Sequence, residues 1–256
     1  MTIFLTILSA IIPSLLLLWY FYKRDLNPEP RGVLLKTFLY GILIVVPVII
    51  IALPLCLLNA QLSHPLLAGL FSALFCAAVP EEFFKFLVVT RYSARHPAFD
   101  EPMDGVVYGA TASLGFATLE NILYVAQGGW FVAAARALTA VPCHACLGAM
   151  LGYYVGQARF NIERKVSVWM GLFVAIIIHG LYDFPLLVMR EFGEYSPENL
   201  VLFLGLNIFC LAVLIFAIVW TLKIVRRIRR EQVQERQEQE AEEQAQPPLD
   251  IWGQIY

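Results

Sequence analysis

Seven stretches of the chain, roughly 3–22, 33–58, 66–90, 103–126, 130–158, 166–189 and 200–225, are each long and apolar enough to cross a bilayer as a helix, a passage that takes about 20 such residues. That pattern constrains the fold more than any other feature, because a helix satisfies its own backbone groups where no water is present. The expected architecture is all-α: a polytopic membrane bundle of about seven transmembrane helices. Composition agrees, with 59% apolar and only 15% charged residues in 256, against about 45–50% and 25% in ordinary globular domains. The 18 basic and 20 acidic residues nearly cancel, so no overall field points to nucleic acid. Cys56, Cys76, Cys143, Cys146 and Cys210 all lie in apolar runs, which speaks against a secreted disulfide framework.

Orientation follows from charge. No basic residue precedes the first run and no A-x-A-like cleavage site follows it, while Lys23 and Arg24 come at once; it reads as an uncleaved anchor with its N-terminus outside. Basic residues also follow the third run (Arg91, Arg95), the fifth (Arg159, Arg164, Lys165) and the seventh (Arg226, Arg227, Arg229, Arg230). The loops 59–65 and 127–129 have none, and the one after the sixth run is mainly acidic, with Glu191, Glu194 and Glu198 beside Arg190. The positive-inside rule therefore places every odd connection and the C-terminus in the cytoplasm. A membrane domain over 1–225 is followed by a charged cytoplasmic tail over 226–256, whose basic start suits anionic headgroups. The Glu/Gln-rich part reads as an exposed helical extension or a disordered segment, and the apolar end with Trp252 and Tyr256 as a possible docking motif.

Ionisable groups inside hydrocarbon cost several kcal/mol each and are functional suspects by default. The third run holds Pro80-Glu81-Glu82-Phe83-Phe84-Lys85, the fourth ends in Glu120-Asn121, the fifth holds Arg136 and His144, and the sixth His179 and Asp183. Residues four apart share a ridge, and small ones there let helices approach closely. Gly69, Ala73, Ala77, Glu81 and Lys85 form such a ridge, as do Gly105, Gly109, Ser113, Ala117 and Asn121. The next two helices offer His144, Gly148, Gly152, Gly156 and Gly171, Ala175, His179, Asp183. Runs three to six are expected to converge on one polar cavity within 66–190, with runs one, two and seven peripheral. Pro80, Pro142 and Pro185 lie beside these groups, and the irregular backbone they impose is tolerated where it lines water. Arg136, near an outer end, reads as a snorkelling residue outside the site.

The set has a chemistry. Two adjacent carboxylates in a low dielectric cannot both ionise cheaply, so Glu81 and Glu82, within reach of Lys85, suit a base that activates water. His144, His179 and Asn121 offer donors to a developing oxyanion, and Asp183, one turn after His179, can fix its ring. Water, base and oxyanion donors describe peptide-bond hydrolysis. Zinc-assisted hydrolysis is a second option, with Glu120, His144 and His179 as ligands, although no H-E-x-x-H motif is present. The same groups would also serve a proton- or ion-coupled transporter, but transporters often carry repeated halves and none is visible. A non-catalytic scaffold acting through the tail is a third reading. Depth is a strain on any shared site: with about 1.5 Å per residue, Glu81 lies roughly 20 Å from the outer end of its run and Glu120 roughly 25 Å from the inner end of its own, too far apart for straight helices.

P-E-E-F-F-K at 80–85, F-A-T-L-E-N at 116–121, C-H-A-C-L-G at 143–148 and H-G-L-Y-D at 179–183 resemble the successive motifs of the PrsW family of intramembrane proteases. More distantly they are similar to the E-E-x-x-x-R, F-x-x-x-H and H-x-x-x-N/D motifs of CAAX-processing and bacteriocin-immunity membrane endopeptidases. Lys85 stands one place before that group's Arg and Glu120 where it has His, which weakens an inference to prenylated substrates. The resemblance implies that Glu81 and Glu82 activate water and that Glu120, His144 and His179 complete the site. It further implies a membrane-anchored protein or peptide substrate, such as an anti-sigma factor cut at its first site, and a bacterial cytoplasmic membrane.

Overall fold

The computed structural model describes residues 2–161, 166–193 and 197–245. Arg164, Lys165, Glu194 and the terminal segment with Trp252 and Tyr256 lie outside the described residues. Among the described residues all regular structure is helical: α1 (Thr2–Arg24), α2 (Arg31–Leu43), α3 (Val45–Asn59), α4 (Pro65–Phe71), α5 (Val79–Arg91), α6 (Pro102–Leu138), α7 (Ala140–Phe160), α8 (Val168–Phe192) and α9 (Leu200–Ala245). A wide π-helical segment, Ser72–Ala78, joins α4 to α5. Helices α2 and α3 follow one course broken at Ile44, beside Leu43, whose carbonyl lacks its ladder donor because Pro47, one turn on, has no N–H.

Among the described residues, six helical segments are long and apolar enough to span a membrane. One of them, Pro102–Phe160, runs 59 residues, about 90 Å if straight and so far longer than one crossing. It doubles back instead. Gly129 takes φ 66°, ψ −154°, a region essentially reserved for glycine, and Thr139 also leaves helical geometry. α7 then returns antiparallel along α6, with Gly105 against the Gly152 carbonyl and Gly109 against the Gly148 carbonyl. Two of the four small-residue ridges read from the sequence are thus the seam of this hairpin, and a Cβ at Gly105 or Gly109 would collide with backbone.

Helix α6 is the axis of the molecule: every residue from Met103 to Thr118 is buried. Small residues nearly all round let neighbours close on it from several sides, α7 on one face and α2 on another, where Gly41 meets the Ala112 carbonyl and Gly115 meets that of Phe38. Outward faces are apolar and bare, as at Ile50, Leu57, Phe173 and Ile208, the surface a lipid-facing helix presents. Helix α9 runs unbroken through residue 226 to Ala245, so the beginning of the charged tail is a helical extension, and Ile228 on it is 1% exposed.

Candidate active site

Helix α5 begins with Pro80 in its first turn. Just before it the backbone widens, so that the Val79 N–H reaches the Leu74 carbonyl five residues back. π-turns of this kind gather at functional sites, and this one sets the direction in which Glu81, Glu82 and Lys85 leave the helix. All three are buried.

The Lys85 ammonium is the centre of the arrangement. Its Nζ donates to Glu82 Oε1 at 2.7 Å and Glu81 Oε2 at 3.2 Å, and lies 3.0 Å from His144 Nδ1 on α7. It also sits 4.4 Å above the Phe116 ring of α6, where the ring's quadrupole favours a cation. On the far side Glu82 Oε1 is 2.8 Å from His179 Nδ1 of α8, and His179 Nε2 is 3.2 Å from Asp183 Oδ2 and 3.9 Å from Glu81 Oε2. His144 uses its other nitrogen, Nε2, toward Glu120 Oε2 at 3.0 Å. The two imidazoles stand edge to face with centroids 5.2 Å apart. Each is held by its own carboxylate, Glu120 or Asp183, the device that orients ligating and catalytic histidines elsewhere.

Four helices therefore supply one connected network. Glu81 and Glu120 are linked through Lys85 and His144, whose two ring nitrogens reach Lys85 and Glu120; the two glutamates need not touch. Asn121 lies apart from the cluster, its Nδ2 donating to the Ala10 carbonyl at 3.0 Å and its Oδ1 accepting from Arg136 Nε at 2.9 Å. Arg136, read from the sequence as a snorkelling residue, is instead bound at 2.6 Å to Glu120 and stacked 4.1 Å over Tyr124. The reversal at Gly129 carries it back beside Glu120. A lone arginine in an apolar stretch was the available signal, but its partner lies 16 residues earlier, across a turn the hydropathy does not show.

Glu81, Glu120, His144, His179 and Asp183 line a cavity of about 640 Å³, walled on the other side by apolar residues of α8 and α9 such as Leu186, Leu211 and Leu214. Glu82 lies behind Glu81 and is fully buried. One ligand atom from each of Glu81, Glu82, His144 and His179 falls within 4.8 Å of the others, a mixed carboxylate and imidazole set suited to a divalent transition metal. Glu82 Oε2 is buried with no hydrogen-bond partner, a carboxylate oxygen left over for a cation. The set thus fits a cation by its chemistry. Glu120 stands outside this set, its Oε2 held by the far nitrogen of His144 and by Arg136.

Apolar helices that bury carboxylates, imidazoles and an ammonium around one cavity define a membrane-embedded site for acid–base chemistry. The family model described as PrsW family intramembrane metalloprotease matches residues 29–222. The chain is 40% identical over 194 residues to Protease PrsW of Geobacillus kaustophilus, covering 75% of this chain and 84% of that one. It is 36% identical to Protease PrsW of Bacillus subtilis, covering 75% and 87%, and 30% identical to that of Clostridioides difficile, covering 71% and 79%. No solved structure matches. The chain belongs to the PrsW family: it is a multi-pass membrane protease, hence a hydrolase, and its bacterial relatives are consistent with a bacterial cytoplasmic membrane.

Proposed function

We propose that the chain is an intramembrane endopeptidase that hydrolyses peptide bonds of membrane-anchored protein substrates with water activated at Glu81. The observation that carries this reading is the convergence of side chains from α5, α6, α7 and α8 on one cavity, with Glu81 the member of the glutamate pair that lines it. Glu81 takes a proton from water and returns it to the leaving amine. Glu82, behind it, holds Lys85 and His179 in place, and Lys85 balances the charge of the pair. His144 and His179 line the same cavity, each ring fixed by Glu120 or Asp183, and as charge develops on the oxyanion each shares with it the N–H that its carboxylate holds. Asn121 acts at one remove, through its hold on Arg136.

The family description implies a metal, and zinc is the ion we propose, held among Glu81, Glu82, His144 and His179 with Glu120 orienting His144. A bound zinc would polarise the scissile carbonyl and make water more acidic. The apolar wall of the cavity suits a hydrophobic segment of substrate, and an anti-sigma factor with a membrane anchor is a substrate of this kind. The N-terminus outside and the C-terminus in the cytoplasm complete the reading.

The test is purified protein in lipid nanodiscs with a library of membrane-anchored peptides. Cleavage is expected from the natural chain and not from Glu81→Gln or Glu82→Gln. Cleavage untouched by both changes, or ion flux without cleavage, overturns the proposal. Loss on treatment with a zinc chelator and recovery on adding zinc supports the metal.

A further inference from the structure

Away from the cavity, four carboxylates meet where the α1–α2 connection, the start of α6 and the extension of α9 come together: Asp25, Glu29, Glu101 and Asp104. One oxygen from each of Asp25, Glu29 and Asp104 lies within 4.8 Å of the others, all three residues buried. No lysine or arginine pairs with any of the four among the described residues, although Lys23, Arg24 and Arg31 are neighbours in the chain. Their other oxygens are fixed. Asp104 Oδ2 accepts from the backbone N–H of Asp100 at 2.6 Å and of Glu101 at 2.7 Å. Asp25 Oδ1 accepts from Asn27 N–H at 3.0 Å, and Glu29 Oε2 accepts from the Tyr108 hydroxyl.

These anchors leave Asp25 Oδ2 and Asp104 Oδ1 buried with no hydrogen-bond partner. A separate, uncharged side chain ends in the same place. Gln232 of α9 is 5% exposed and donates Nε2 to Asp25 Oδ1 at 2.9 Å and Glu101 Oε1 at 2.6 Å, while its own Oε1 is buried without a partner. Buried oxygens of this kind each forfeit their hydration.

We propose that Asp25, Glu29 and Asp104, with the amide oxygen of Gln232, form a binding site for a hard divalent cation, magnesium or calcium, separate from the catalytic cavity. All the donors are oxygens, with no imidazole or thiolate among them, which selects this class over zinc. The bound ion ties three segments that are far apart in sequence, and so fastens the α9 extension to the body of the bundle.

Full-length protein in phosphatidylcholine nanodiscs, stripped with chelator, is titrated with magnesium chloride or calcium chloride at constant ionic strength. Calorimetry reads binding and thermal unfolding reads stability. The natural chain is expected to bind one ion and to gain about 5 °C in Tm at saturation, with the same response in Glu82→Gln. Asp25→Asn, which keeps the oxygen that accepts from Asn27, is expected to weaken binding at least about tenfold. No stoichiometric binding by the natural chain overturns the site whatever the variants do. So does binding that survives Asp25→Asn unchanged, or that disappears in Glu82→Gln.

Discussion

Lys85 shows how much of this site depends on one side chain. Its ammonium is 1% exposed and lies between two buried carboxylates, so its removal leaves them facing each other with only the His179 ring beside them. Breaking a buried pair by losing one partner costs about 3–5 kcal/mol, and Lys85→Met is expected to lower Tm correspondingly in a thermal unfolding assay. Lys85→Met combined with Glu82→Gln is expected to recover part of that loss, because the second change removes one of the stranded charges. Arg136 is a positioning residue by the same logic. It orders Glu120 and Asn121 together, so Arg136→Ala is expected to slow cleavage about 10–100-fold with a small change in Tm. Arg136→Lys should restore little, since an ammonium does not reproduce the planar fork that serves two acceptors. The sequence identified Glu81, Glu82, His144 and His179 as a set because ionisable groups are conspicuous against apolar helices. It did not reveal that Arg136 joins Glu120 or that Asn121 turns toward α1, because both depend on where the chain reverses.

Close approach between helices was legible from spacing alone, and which helix meets which was not. Gly105, Gly109, Gly148 and Gly152 read as ridges in the sequence, and pairing them into one seam needed the antiparallel return of α7. A methyl group at Gly109 would meet the Gly148 backbone. Gly109→Ala is therefore expected to lower stability by about 1–3 kcal/mol and to reduce cleavage as α6 and α7 move apart. Gly32→Ala, with open space around the added Cβ, is expected to be neutral or stabilising by up to about 1 kcal/mol. The π-segment before Pro80 gives a different kind of test. Pro80→Ala supplies the missing N–H, so the backbone is free to tighten toward a regular ladder. That turns Glu81, Glu82 and Lys85, which ride together on α5, away from His144 and His179, and cleavage should fall while the ion pairs within α5 persist.

At the scale of the whole molecule, topology sets which compartment each surface meets. With the cytoplasmic C-terminus read from charge, a cysteine placed by Glu235→Cys in a Cys-free background is expected to react with a membrane-impermeant reagent only when the cytoplasmic face is opened. One placed by Gln61→Cys should react from outside. Labelling in the reverse pattern would overturn the orientation. Seven apolar runs were legible because hydrocarbon imposes a length and a composition that act on each segment separately. The turn near Gly129 was legible only as a short gap between two runs, and the helical course of α9 past Arg226 only as one of two options. A local sequence therefore determined that this chain spans a membrane with helices, and that titratable groups lie where they are costly enough to need a common interior. The tertiary structure alone decided their partners on other helices, since Lys85 meets His144 across 59 residues and His179 meets Glu82 across 97. The physical reason is that burial penalties act residue by residue, whereas the hydrogen bonds and ion pairs that offset them form only once separate helices have packed.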